Sequence, residues 1–237
     1  KDAGIIPIAV GNGTSWVNQL ITYAMLPSIV YANNPNFDRD RQEGKVKFAT
    51  SGWAETLNKY MELNKRGFFN PNPVGTSIDE AFQLVATGKA AMTIVTSGPL
   101  ANLFKFAGHK NFTVMGVPSS DDPAKFWMAA SPSSGFAVNA RSANKEGALE
   151  FLKLLSQPEA VGAFSSAAGV PALLPSTPNP EIDKIYEHVM PFFREGRTTP
   201  MMDQSWPNAR VQQVHNAGIQ ELLTGRTTVA ALLKRMD

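Results

Sequence analysis

Apolar residues along this chain recur in two periods, and the alternation between those periods predicts the order of elements. Ile5 to Val10 is a short apolar run ending at Gly11-Asn12-Gly13, which reads as a strand passing into a loop. Thr14 or Ser15 can cap a helix that carries Trp16, Leu20, Tyr23 and Met25 and ends around Pro27. Asn33-Asn34-Pro35-Asn36 reads as a turn, and Val46 to Ala49 as a brief strand. Ser51 then has the right chemistry for an N-cap, and Trp53, Leu57, Tyr60 and Met61 stand at i, i+4, i+7 and i+8, one apolar helical stripe that Gly67 stops. Ser77-Ile78-Asp79-Glu80 has the spacing of a capping box, after which Ile78, Phe82 and Val85 face inward until Gly88.

The second half repeats the alternation. Ala90 to Val95 is apolar enough for a buried strand, Pro99 to Phe106 follows as a short helix, and Phe112 to Val117 reads as another strand. The turn-rich Ser131-Pro132-Ser133-Ser134-Gly135 precedes an expected strand at Phe136 to Asn139. From Asn144 a helix presents Ala148, Phe151, Leu152 and Leu155 on one face, and Pro158 near a first turn restarts it until Gly169-Val170-Pro171. Pro180 to Arg194 is helical in pattern apart from Pro191, and 196–205 is a loop. Pro207 fixes the start of a helix that runs to Gly225, and Val229, Leu232, Leu233 and Met236 close the chain at i, i+3, i+4 and i+7. Strands alternating with helices of about ten to fifteen residues point to βαβ units and a largely parallel sheet, an α/β fold.

Composition narrows the class. With 237 residues and 43% hydrophobic content the chain can bury a core as one large domain or two small ones. Its 22 basic and 20 acidic side chains leave a net +2 with no long block of one sign, which argues against nucleic acid as a partner. The absence of cysteine excludes a disulfide framework, a thiolate metal site and a cysteine nucleophile. No apolar run approaches the roughly 20 residues of a membrane helix. Lys1-Asp2-Ala3-Gly4 does not read as a signal peptide, so a targeting segment would lie outside these residues.

Enzyme signatures are missing: no Gly-x-Ser-x-Gly elbow, no Walker loop, no His-Glu-x-x-His. Gly11-Asn12-Gly13 is half a dinucleotide fingerprint, but Trp16 occupies the position of its third glycine. His109, His188 and His215 are isolated and read as surface or packing residues, and Asp38-Arg39-Asp40 lacks the spaced ligands of a calcium loop and reads as a solvated turn. No cofactor or metal is implied. Binding features are stronger, because a sugar offers an apolar C–H face and a hydroxyl edge, which an aromatic ring and hydrogen-bonding groups match. Trp53 belongs to an inward stripe, and Trp127 reads as hinge packing ahead of cleft lining. Trp16 opens a helix after a loop at the carboxyl edge of a strand and reads equally as ligand contact or packing. Trp206 lies beside a helix start, with cleft contact ahead of packing.

Four segments, in order, carry a resemblance: Thr87-Gly88-Lys89-Ala90-Ala91-Met92-Thr93, Ser97-Gly98-Pro99-Leu100, Trp206-Pro207-Asn208-Ala209-Arg210 and Gly225-Arg226-Thr227-Thr228. Together they resemble the extracellular solute-binding proteins of ABC importers, over nearly the whole chain, with the match starting well inside that family's usual sequence. The resemblance implies an incomplete type II periplasmic-binding fold, with 1–132 and 198–237 as the C-terminal lobe and 133–197 as a segment of the N-terminal lobe. On that reading the 133–197 piece exposes apolar surface and the chain is open to self-association. The implied function is capture of a carbohydrate or polyol by hinge closure and delivery to the permease subunits, outside the membrane or in the periplasm, with a lipid anchor beyond these residues. No bond is made or broken.

The contacts so implied are Asn12, Trp16, Ser97, Gly98, Ser133, Trp206 and Arg210, with Trp16 and Trp206 stacking, Asn12, Ser97 and Ser133 meeting hydroxyls, and Arg210 taking an anionic group or a hydroxyl pair. Leu100 stands where the maltose-binding branch has a stacking tryptophan, and Ser133 where the glycerol-3-phosphate-binding branch has a glycine pair. Otherwise Thr96-Ser97-Gly98-Pro99-Leu100-Ala101-Asn102 and Pro207-Asn208-Ala209-Arg210 resemble the latter branch more closely, which implies that Arg210 meets a ligand phosphate, and a guanidinium at a helix start suits an anion. A surface or inter-lobe ion pair is the other reading of Arg210. A polyol-phosphate binder is therefore the alternative ligand class. A glycosidase would need two converging carboxylates, and Asp203 is the one acid near these loops. A signalling or adhesion module that kept the fold is not separable by sequence.

Overall fold

The two apolar periods become short strands and amphipathic helices in the computed structural model, which describes residues 1–131, 135–172 and 174–237. Strand β1 (Ile6–Ala9) pairs in parallel with β2 (Ala90–Thr93), in register Ile6 to Ala90, Ile8 to Met92 and Ala9 to Thr93, and Ile8 also bridges Phe69. A second parallel pair joins β3 (Met128–Ala129) to β4 (Thr198–Thr199). The parallel sense agrees with the βαβ pattern; the sheets are smaller than it suggests. Strand β2 is also less buried than its apolar run implies, since Ala91 and Met92 are exposed.

Three expected strands have no ladder. At Val46 to Ala49 the Phe48 N–H donates instead to the Asp237 carboxylate at 2.7 Å, and in Phe112 to Val117 the Val114 N–H donates to the Ile185 carbonyl at 2.8 Å. Phe136 to Asn139 is likewise irregular. Apolar, β-branched runs become strands only when another edge supplies partners, and these runs meet side chains and helix ends.

The chain divides into two compact units, the first formed by Lys1–Val95, Gly116–Ser131 and Pro191–Asp237. In it the helix expected from Thr14 to Pro27 is a composite: a 3₁₀ turn (Ser15–Gln19), helix α1 (Leu20–Leu26), and a π turn (Pro27–Tyr31) that tolerates Pro27 at its first position. Helix α2 (Phe37–Gln42) forms where a solvated turn is expected, because Phe37 and Asp38 turn into the core. In α3 (Gly52–Lys65) the Ser51 hydroxyl accepts the Trp53 N–H at 3.3 Å, and the stripe Trp53, Leu57, Tyr60 is fully buried. Helix α4 (Ile78–Ala86) starts with the expected capping box between Ser77 and Glu80. The core is completed by α10 (Ala209–Leu223) and α11 (Val229–Met236), whose Leu232, Leu233 and Met236 point inward at the expected spacing.

The second unit comprises Thr96–Met115 and Pro132–Met190 and is largely helical: α5 (Leu100–Ala107), α6 (Lys145–Leu155), α7 (Pro158–Ala168) and α8 (Pro180–Ile185). Helix α5 packs on α7, with the Phe104 ring against Gly169, whose left-handed φ of +68° ends α7. The Tyr186 hydroxyl fixes that end by donating to the Gly169 carbonyl at 2.9 Å. Helix α6 buries none of its residues: of the expected stripe, Ala148, Leu152 and Leu155 are half-buried while Phe151 is exposed, as are Leu149 and Leu154. The helical stretch expected from Pro180 to Arg194 apart from Pro191 is broken earlier, between α8 and α9 (Met190–Arg194), and Pro191 lies within the first turn of α9. Among the described residues no helix is long and apolar enough to cross a membrane.

Candidate functional site

The loop after β1 is built by close approach of backbones. A Cβ on Gly11 would lie 2.7 Å from Ile78 Cα, and one on Gly13 2.8 Å from the Thr76 carbonyl oxygen, so both glycines are needed for the chain's own packing. The Gly13 N–H donates to that carbonyl at 2.8 Å, and the Thr14 hydroxyl accepts the Ile78 N–H at 3.0 Å, which fastens the loop to the start of α4. Asn12 is buried beneath it. Its side-chain amide donates to the Tyr60 hydroxyl at 2.7 Å, and its carbonyl accepts from Gln220 at 2.8 Å. Burial raises the Tyr60 pKa far above its ordinary value, so the phenol stays protonated.

The loop delivers Trp16 into the 3₁₀ turn, where its side chain is 38% exposed, a large aromatic left open to solvent. Three residues on, at the eclipsed position of such a turn, Gln19 begins a hydrogen-bond relay. Gln212, on α10, donates through Nε2 both to Gln19 Oε1 and to Asp203 Oδ2, each at 2.9 Å. Asp203 comes from a 3₁₀ turn at Met202–Ser205, and burial raises its pKa while the Gln212 hydrogen bond pulls it back. The 3₁₀ turn of Trp16 packs along α10, so one exposed ring and three polar side chains belong to a single seam. Arg210 stands at the start of α10, where Asn208 caps the helix by accepting the Arg210 N–H at 2.9 Å. The Arg210 side chain is exposed and forms no ion pair among the described residues.

Beneath the seam lies an aromatic cluster. Trp206 is 8% exposed and packs against Tyr23, Phe48 and Trp53 at centroid distances of 6.2, 6.1 and 5.9 Å. Its indole N–H donates to Asp38 Oδ1 at 3.1 Å, and the Tyr31 hydroxyl donates to Asp38 Oδ2 at 2.9 Å. Desolvation therefore raises the Asp38 pKa, opposed by those two hydrogen bonds and by the charge of Arg41. The expected solvated turn at 38–40 is thus corrected for Asp38, a buried anchor for two rings. His215 stacks on Tyr23 at 5.8 Å and stands edge-on to Trp53 at 5.5 Å. The Thr22 hydroxyl spends its one hydrogen on the Gln19 carbonyl at 2.7 Å, so it accepts from His215 Nε2 at 3.1 Å and leaves Nδ1 unprotonated, buried and without a partner. Burial lowers the His215 pKa from 6.5 to about 3.

The first unit thus brings Trp16, Trp206, Arg210 and Asn12 onto elements that meet α10, with Trp16 and Arg210 exposed and the other two enclosed. Ser97 and Gly98 belong to the second unit. The Ser97 carbonyl accepts the Leu100 N–H at 3.1 Å at the start of α5, and Gly98 is exposed with open space on its Cβ side. Ser133 lies outside the described residues. Sequence reasoning missed Gln19, Gln212 and Asp38. The signal available for Gln212 was its place one helical turn from the Asn208 cap; nothing local marks Gln19. Among the described residues no group of three His, Asp or Glu side chains could hold a metal ion.

Residues 1–162 match the family model described as bacterial extracellular solute-binding protein. Among curated proteins none matches this chain. Among solved structures the chain is similar to a chitin oligosaccharide binding protein (22% identity, TM-score 0.78, covering 99% of this chain and 59% of that one). It is also similar to a sugar transporter from Bacillus licheniformis in complex with stachyose (16%, 0.77, 99% and 60%) and to RafE in complex with raffinose (15%, 0.78, 99% and 60%). At such identities the likeness is one of fold. The chain spans about 60% of the length of these structures.

Proposed function

This chain belongs to the bacterial extracellular solute-binding protein family, and from that premise we propose that it captures a carbohydrate for import by an ABC transporter. The observation that carries the reading is the seam on α10, where the exposed Trp16 ring stands on the same short turn as Gln19, and Gln19 joins Gln212 and Asp203 in one hydrogen-bonded row. A flat apolar surface beside fixed donors and acceptors is what the C–H face and hydroxyl edge of a sugar require. The chitin oligosaccharide, stachyose and raffinose named for similarly folded proteins point the same way. The proposed capture needs no catalytic step.

Within this proposal Trp16 stacks on the ligand. Trp206 and Asn12 support the seam from below through Asp38 and Tyr60, and Ser97, Gly98 and Ser133 meet hydroxyls from their own segments. The proposal keeps the lobe boundaries read from the sequence, 1–132 with 198–237 and 133–197, and an extracellular or periplasmic setting with a lipid anchor outside these residues. Delivery to permease subunits and self-association through the apolar surface of 133–197 also remain parts of it. One observation favours a second ligand class, a polyol phosphate: the Arg210 guanidinium is exposed, free of ion pairs among the described residues, and sits at a helix start.

The test contrasts two tryptophans. Trp16→Ala should weaken saccharide binding by about tenfold, as expected for loss of one stacking ring, with the melting temperature nearly unchanged. Trp206→Ala should cost about 3–5 kcal/mol of stability, the range for truncating a buried aromatic. Calorimetric titration and thermal melts of both variants decide it, and a large stability loss in Trp16→Ala with unaltered affinity would remove the stacking role.

A further inference from the structure

The relay on α10 has a fixed direction. A carboxylate only accepts, so Gln212 must present Nε2 to Asp203, and the same nitrogen reaches Gln19 Oε1. Gln212 Oε1 and the remaining lone pairs of Asp203 are left as acceptors, and the Gln19 amide nitrogen is left as a donor. Asp203 is half-buried and meets α10 within one helical turn of Arg210, yet among the described residues it forms no ion pair. An anion facing Asp203 therefore meets a half-buried carboxylate that has no paired cation among the described residues and is only partly screened by water.

We infer that Asp203 is the residue that sets ligand charge at this site: it accepts hydroxyl hydrogens from a neutral ligand and turns phosphorylated ones away. A hydroxyl donating to a carboxylate forms a charge-assisted bond, whereas a phosphate facing the same oxygen can form none and is repelled. The identity of the neutral ligand as a saccharide rests on the proposed capture function; the exclusion of phosphate rests on the charges alone. Gln212 and Gln19 act as positioning residues, since the first fixes the carboxylate and the second extends the row toward the turn that bears Trp16.

The experiment titrates the 237-residue chain with glycerol 3-phosphate as anionic probe and with raffinose, stachyose and a chitin oligosaccharide as neutral probes, by calorimetry. Asp203→Asn keeps an acceptor for Gln212 and removes the charge; Asp203→Ser is the second variant, and circular dichroism checks that each retains the wild-type helix content. Wild type should bind glycerol 3-phosphate at least about tenfold more weakly than Asp203→Asn, the scale of one partly screened unit charge nearby. Adding Arg210→Ala to Asp203→Asn should abolish that gain. Any neutral saccharide bound by wild type should lose about tenfold in both Asp203 variants. Phosphate affinity that is equal in wild type and both variants, including none in any of them, overturns the inference. A phosphate gain without saccharide binding in any protein would uphold the charge selection and remove the capture reading instead.

Discussion

At the residue scale, burial decides which of two chemically similar side chains is free to act. Trp16 and Trp206 both stand at loop-to-helix junctions, but the first is open to solvent while the second is enclosed by Tyr23, Phe48 and Trp53 and tied to Asp38. His215 gives the clearest single-residue prediction. Its pKa falls from 6.5 to about 3 in the folded protein because the ring is buried and Nδ1 has no partner, so the unfolded chain binds the extra proton below pH 6.5. The stability this neutral ring contributes is therefore complete above pH 6.5 and is lost progressively as the pH falls toward 3, by about 1.4 kcal/mol per pH unit at most. Asp38 and Asp203 act in the opposite sense, since their folded pKa values are raised and acidification just above 3.8 favours the native state. Urea denaturation of wild type and His215→Gln between pH 7 and pH 4.5 should give a shallower decline in the variant, and parallel curves would show that His215 does not control the acid limb.

At the element scale, the helices were legible and most strands were not. The stripe Trp53, Leu57, Tyr60, the capping box at Ser77 and Glu80, and the closing stripe Leu232, Leu233, Met236 each rest on residues within a few positions of one another, so local spacing suffices. Val46 to Ala49, Phe112 to Val117 and Phe136 to Asn139 have strand-like composition, but a ladder needs a second edge from elsewhere in the chain. Helix packing adds constraints that spacing conceals. A Cβ on Gly218 would fall 2.1 Å from Leu232 Cδ1 and 2.7 Å from Cδ2, and Leu232 is fully buried. Gly218→Ala gains roughly 1 kcal/mol in helix propensity and loses about 1–3 kcal/mol to overpacking, so it should lower the denaturation midpoint; a midpoint at or above wild type would mean that α11 shifts freely.

At the scale of the whole molecule, the two units differ in how they are held. The first has a continuous aromatic and aliphatic core around Trp53, Tyr23 and Phe48, whereas in the second α6 buries no residue and α7 buries only Gly162 and Ser165. Opening free energies follow buried apolar contact, so hydrogen exchange of α6 and α7 should be much faster than that of α3 and α10 under native conditions. Uniform protection across all four helices would show that the apolar face of α6 is covered in solution. The sequence by itself determined the family, the α/β class, the parallel sense of pairing and the amphipathic helices, because motif order, composition and periodicity are properties of neighbouring positions. Tertiary structure alone decided that Trp206 is core and Trp16 surface, that Asp38 is a buried anchor, and that Gln19, Gln212 and Asp203 form one row. Those relations join residues nearly two hundred positions apart, as in the Gln19 to Gln212 hydrogen bond, and which side chain keeps its contact with water is settled only when distant segments pack.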